Sequence, residues 1–114
     1  MPTPRIIDDG AYHCLRLADF EGFHEHIANR ATVDFSNSDL RGVDLRAIDP
    51  RKVILRGAYL RDADLRGLDL RDAELEGCSL RHAQVSGTFF PANVSPQEIQ
   101  NSVEYGTRVR TTDG

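Results

Sequence analysis

The sequence predicts an all-β solenoid. Three observations carry that expectation: an apolar residue recurs at every fifth position, a smaller apolar residue stands two places before it, and a turn-forming residue commonly stands two places after it. Counting in fives gives Phe35, Leu40, Leu45, Pro50, Leu55, Leu60, Leu65, Leu70, Leu75, Leu80, Val85 and Phe90, with Pro50 the single break. The smaller set is Val33, Ser38, Val43, Ile48, Val53, Ala58, Ala63, Leu68, Ala73, Cys78, Ala83 and Thr88. An α-helix cannot use this period, because a five-residue step rotates a side chain by about 500° and walks the apolar groups around every face. A long continuous strand fails too, since inward and outward residues alternate over only three positions before two further outward residues break the phase. Each unit is therefore one short extended segment and a corner. Its inward side chains escape water only if successive segments wind about a common axis around a filled interior.

The outward positions are as regular as the inward ones. Asp34, Asp39, Asp44, Asp49, Asp64, Asp69 and Glu74 precede the centres of their units, and Arg41, Arg46, Arg51, Arg56, Arg61, Arg66, Arg71 and Arg81 follow them. Next come Gly42, Gly57, Asp62, Gly67, Asp72, Gly77 and Gly87, residues that tolerate a positive φ and so suit a corner. The Asp-Leu-Arg order sets an acidic rail beside a basic rail. Its plain reading is a salt-bridged, solvated wall; its sharper reading is a partner-binding wall built from Arg41, Arg61, Arg81, Arg46, Arg66, Arg51 and Arg71.

These units, among them Ala58-Tyr59-Leu60-Arg61-Asp62, Ala63-Asp64-Leu65-Arg66-Gly67 and Ala73-Glu74-Leu75-Glu76-Gly77, resemble the A-(D/N)-L-x-x units of pentapeptide-repeat proteins. The resemblance covers residues 31–92 and implies a right-handed quadrilateral β-helix with four units per coil, hence about three coils. Residues twenty apart would then stack as Phe35/Leu55/Leu75, Leu40/Leu60/Leu80, Leu45/Leu65/Val85 and Pro50/Leu70/Phe90, with sizes matched along three of the four columns.

A short solenoid has two open ends, and exposed β-edges template unwanted pairing, so the flanks are expected to cap it. Residues 93–114 form the C-terminal cap. Ser95-Pro96-Gln97-Glu98 reads as a capping box that opens a helix, Gly106 ends it after Tyr105, and Ile99 with Val103 supplies the stripe that faces Phe89 and Phe90. Thr107 to Gly114 reads as a frayed tail. Residues 1–30 form an irregular N-terminal cap: an extended lead-in over 1–10, then a unit at Leu17-Ala18-Asp19-Phe20, then a short helix over 22–29. Tyr12, Leu15, Phe20, Phe23 and Ile27 either fold down on Phe35 and Leu40 or meet their copies across a two-fold axis, so a homodimer through a solenoid end is the favoured assembly.

At 114 residues the chain has room for one core. A net charge of -4 offers no basic field for nucleic acid and no polybasic patch for anionic lipid, and no apolar run approaches membrane-spanning length. Cys14 and Cys78, with no charged-then-apolar leader after Met1, point to a reducing cytoplasm. His13, Cys14, His24 and His26 lack the paired spacing of a metal site, Cys78 falls at an inward position, and His82 falls at an outward corner with no catalytic partner in its unit. With no nucleophile elbow and no phosphate-binding glycine loop, neither catalysis nor a cofactor is expected. The expected function is a small structural or protein-interaction module. The resemblance also implies an alternative, since some pentapeptide-repeat proteins mimic DNA and modulate gyrase, but a duplex mimic needs a continuous negative surface and the arginine columns interrupt one.

Overall fold

A computed structural model describes residues 3–112. The elements run α1 (Gly10–Arg16), α2 (Phe20–Ile27), β1 (Val33–Asp34), β2 (Val53–Ile54) and α3 (Pro96–Tyr105). β1 and β2 pair in parallel with Val33 opposite Val53. The same spacing of twenty residues continues in the parallel bridges Asp39 to Tyr59 to Ser79, Asp44 to Asp64 to Gln84, and Asp69 to Phe89. One turn of the chain therefore takes twenty residues, or four units.

Each rung is held by bonds that follow from three extended residues per unit. The centre's N–H donates to a carbonyl one coil on, as Leu40 does to Tyr59 at 3.0 Å and Leu60 to Ser79 at 2.8 Å. The outward residue of the next coil donates back, as Tyr59 does to Ser38 at 2.9 Å. Corners close when the first residue of the next unit donates to the preceding centre, as Val43 does to Leu40 at 3.2 Å. The residue two after the centre takes a positive φ at many corners, which is the third position of a type II turn. Asn37 (φ 56), Asp62 (φ 60) and His82 (φ 59) do so alongside the glycines. Asp72, expected among them, does not.

Phe35, Leu40, Leu45, Leu55, Leu60, Leu65, Leu70, Leu75 and Leu80 are fully buried as one continuous interior. Val85 and Phe90, the last centres of their columns, are only half-buried. At Pro50 the pattern slips: Lys52 N–H closes the corner on Asp49 at 2.9 Å, one residue earlier than in other units. Proline has no N–H to donate to the next coil, and among the described residues no bridge joins Asp49 to Asp69.

Helices make the molecule less purely β than the period suggests. The segment at Leu17-Ala18-Asp19-Phe20 is not a repeat unit: Leu17 is 80% exposed, Ala18 is left-handed at φ 59, and Asp19 caps α2 by accepting from Gly22 N–H. Asp9 likewise caps α1 through Ala11 N–H. Two capping aspartates thus turn the expected irregular cap and lone helix into a helical pair. Its apolar side folds down on its own first coil, with Tyr12 and Phe23 ring centroids 5.6 and 6.4 Å from Phe35 and the Tyr12 hydroxyl donating to Asp39 carbonyl at 2.6 Å. The lead-in adds a rung, because Arg5 N–H donates to Asn37 carbonyl and Asp39 N–H donates to Arg5 carbonyl.

At the other end α3 runs as its caps dictate, with Ser95 accepting from Glu98 N–H and Gly106 left-handed at φ 75. Glu98 does not complete the capping box; its carboxylate accepts from Arg110 N–H at 2.9 Å. The segment after Gly106, read from sequence as frayed, is ordered against the coil: Arg108 bridges Ser79 in antiparallel sense, Val109 is 1% exposed, and Val109 N–H and carbonyl bond Cys78 and Gly77. Met1, Pro2, Asp113 and Gly114 lie outside the described residues.

Candidate interaction walls

The outer walls are built from the Asp-Leu-Arg units. Residues one before and one after a centre point the same way from an extended segment, so their side chains meet outside the coil. Asp39 Oδ1 accepts Arg41 Nε at 2.9 Å and the Arg41 backbone N–H at 3.1 Å, while Oδ2 accepts Nη2 at 2.8 Å. The same fork recurs at Asp44 with Arg46, Asp49 with Arg51, Asp64 with Arg66, and Asp69 with Arg71. One carboxylate therefore binds a planar guanidinium and fixes the start of the corner. Arg46 also reaches across a rung to Asp64 at 3.2 Å.

The arginine hydrogen bond is the main cause that holds Asp39, Asp64 and Asp69 down to about 2, and it lowers Asp44 and Asp49 too. Asp39 is the one of these that is buried, at 6% exposure, and it is shared by Arg16 at 3.5 Å.

Three units depart from the rule because the aspartate is replaced by Ile54, Tyr59 or Ser79. Arg56 then turns to Glu74 on the next coil. Arg61 keeps only a loose contact with Asp62 at 3.7 Å, and both side chains are more than half exposed. Arg81 is exposed, its stem lies under Gly106, and among the described residues no carboxylate comes within 4.0 Å of it. Of the arginines singled out by sequence, Arg41, Arg46, Arg66, Arg51 and Arg71 are thus engaged in forks, whereas Arg61 and Arg81 are not. The tail supplies a cation that the repeat pattern does not foretell: Arg108 lies 4.9 Å over the Tyr59 ring and donates to the Tyr59 hydroxyl and to Gly77 carbonyl.

The remaining chemistry-bearing residues are dispersed. Cys78 Sγ donates to Leu55 carbonyl at 3.0 Å, and burial pushes its thiol up to about 12. Cys14 is half-buried beside Asp19, and its thiol is also raised. His26 lies over Gly10, His13 faces Asp8 at 3.9 Å and His82 faces Asp62 at 3.9 Å. Among the described residues no three His, Cys, Asp or Glu converge to hold a metal ion. Surface hollows flank the walls. One of about 470 Å³ opens beside Pro50 between Asp49 and Asp69, and one of about 260 Å³ lies between Val85 and the Ile99 and Val103 side of α3. No helix among the described residues is long and apolar enough to cross a membrane.

No curated protein and no solved structure matches the chain. The family model of pentapeptide repeats matches it in eight copies across residues 53–90. Such repeats imply a β-helical solenoid, and residues 53–90 of this chain are an array of pentapeptide repeats.

Proposed function

We propose that the chain is a non-enzymatic protein-interaction module of the cytoplasm, a right-handed quadrilateral β-helix of about three coils over residues 31–92, capped by residues 1–30 and 93–114. The observation that carries this reading is the fixed outer pattern. Backbone ladders twenty residues apart hold the side chains of Asp39, Asp44, Asp64 and Asp69 in one repeated arrangement with their arginines, and Asp49 keeps the same fork. A surface ordered before contact loses little side-chain entropy on binding.

A second copy is the partner that the C-terminal end fits best. The helical pair covers the first coil, whereas Phe89 is 55% exposed and Val85, Phe90, Ile99 and Val103 are half-buried. Residues 1–30, through which the homodimer is expected from sequence, instead fold on their own coil; the dimer reading is therefore carried to the C-terminal end. Light scattering should report twice the mass of the 12.7 kDa chain, and Phe89→Asp should restore the single mass.

The DNA-mimicking alternative needs free acidic charge, and five of the wall aspartates each hold an arginine instead. The test of the module reading is photo-cross-linking in the native host from single wall positions, with covalent capture of one protein at some positions and not others as the expected result. Dose-dependent change in gyrase supercoiling by the purified protein would favour the alternative.

A further inference from the structure

Within the reading of the chain as an interaction module, the units that lack an aspartate set one wall apart from the others. Every fork on the walls satisfies an arginine with the carboxylate of its own unit. Tyr59 and Ser79 break that rule on consecutive rungs of one wall, where the bridges Asp39 to Tyr59 to Ser79 stack them. Arg61 and Arg81 follow them, and among the described residues neither is held by a fork or, as Arg56 is by Glu74, by a carboxylate of the next coil. Arg108 and Arg16 approach the same wall from the tail and from α1. Around those rungs Arg16, Arg41, Arg61, Arg81 and Arg108 face Asp39 and Asp62, and Asp39 is already shared by two of them. A chain of net charge -4 thus carries one wall with excess positive charge.

We propose that this wall receives an acidic peptide segment of a partner protein, whose carboxylates pair with the exposed guanidinium groups of Arg61 and Arg81. The chemistry is the one the molecule already uses, a planar guanidinium gripping a carboxylate through two parallel N–H donors. Successive rungs lie about 4.8 Å apart, close to the spacing of roughly 5–7 Å between carboxylates at i, i+4 of a helix or i, i+2 of a strand. The Tyr59 ring and hydroxyl keep the Arg108 guanidinium oriented beside these two arginines. A nucleic acid fits less well, because on the adjoining wall Arg46 and Arg66 are already held by Asp44 and Asp64, so a phosphate backbone long enough to gain affinity would find no free cation there among the described residues.

The experiment is fluorescence anisotropy of a fluorescein-labelled hexaglutamate peptide at low salt, against the full chain. Saturable binding is expected, weakened at least about tenfold by the pair Arg61→Gln and Arg81→Gln. The pair Arg51→Gln and Arg71→Gln on another wall, equal in charge change, should weaken it less than about threefold, the size of a general charge effect. Ser79→Asp restores the missing carboxylate to Arg81; it should weaken the peptide while leaving the melting temperature unchanged or higher, which separates lost binding from lost fold. No binding to wild type, equal loss in both pairs, or tighter binding of a labelled single-stranded oligonucleotide of the same charge would overturn the proposal. A partner cross-linked only from another wall would sink this assignment and leave the module reading standing.

Discussion

The hydroxyl oxygen of Ser102 accepts the backbone N–H of Leu80 at 2.9 Å and donates its proton to Thr107 carbonyl at 2.6 Å. In the earlier coils that N–H position donates to the next rung, as Leu60 does to Ser79. Leu80 has no coil above it, so a fully buried serine from α3 stands in for the absent carbonyl. Ser102→Ala leaves a buried donor unpaired, and a loss of about 1–3 kcal/mol is expected by urea denaturation. Ser102→Gly should be at least as costly, since it also loosens the helix.

The column Leu40, Leu60 and Leu80 is enclosed on all sides, as is its neighbour Leu45 and Leu65. Leu60→Ala or Leu65→Ala should cost roughly 2–5 kcal/mol, a large part of what so small a domain has. Thermal melting followed by circular dichroism measures it, and an unchanged midpoint for Leu60→Asp would contradict the enclosed interior.

Gly57 and Gly67 both hold a positive φ, at 69° and 74°, but their surroundings differ. A Cβ on Gly57 would fall 2.1 Å from Asn37 Oδ1, whereas one on Gly67 would meet open space. Gly67→Ala is expected to cost about 1 kcal/mol from backbone strain alone. Gly57→Ala should cost more, because Asn37, itself left-handed, must also move. Equal melting temperatures for the two variants would show that the Asn37 side chain yields freely.

Acid should unfold the protein late. Asp39, Asp64 and Asp69 titrate near 2 in the fold against an ordinary 3.8, so their contribution is fully present above about pH 4. It is lost as pH falls from there through 2, when the unfolded chain takes up protons that the folded chain still refuses. A melting temperature flat from pH 7 to 5 and falling steeply between 4 and 2 is the expected profile. Asp39→Asn should flatten that fall more than Asp69→Asn, since Asp39 is buried and shared by two arginines while Asp69 is half exposed.

Much of this was legible because the repeat is short and chemically strict. The five-residue step of Leu55 to Leu80 cannot satisfy a helix or a long strand, so winding was the one arrangement that buried it, and Ser95 and Gly106 carry the limits of α3 in their own capping chemistry. The N-terminal segment misled because Leu17-Ala18-Asp19-Phe20 keeps the composition and phase of a unit. Asp19 acts there as a helix cap, and whether an aspartate caps a helix or forks an arginine depends on what lies two residues on: Glu21 in one case, an arginine such as Arg41 in the other.

What the sequence alone determined is the set of inward centres and the placing of aspartate and arginine on one outward side, since both follow from alternation along three extended residues. What only the tertiary structure decided is how the ends are sealed and which arginines remain without a fork. Arg5, Ser102 and Val109 meet the outer coils from 22 to 34 positions away in the chain, and nothing local marks them for it. Arg108 reaches Tyr59 across 49 residues. Contacts of that range are selected by the shape of the finished coil, because an unsatisfied backbone edge accepts whichever segment the fold brings within reach.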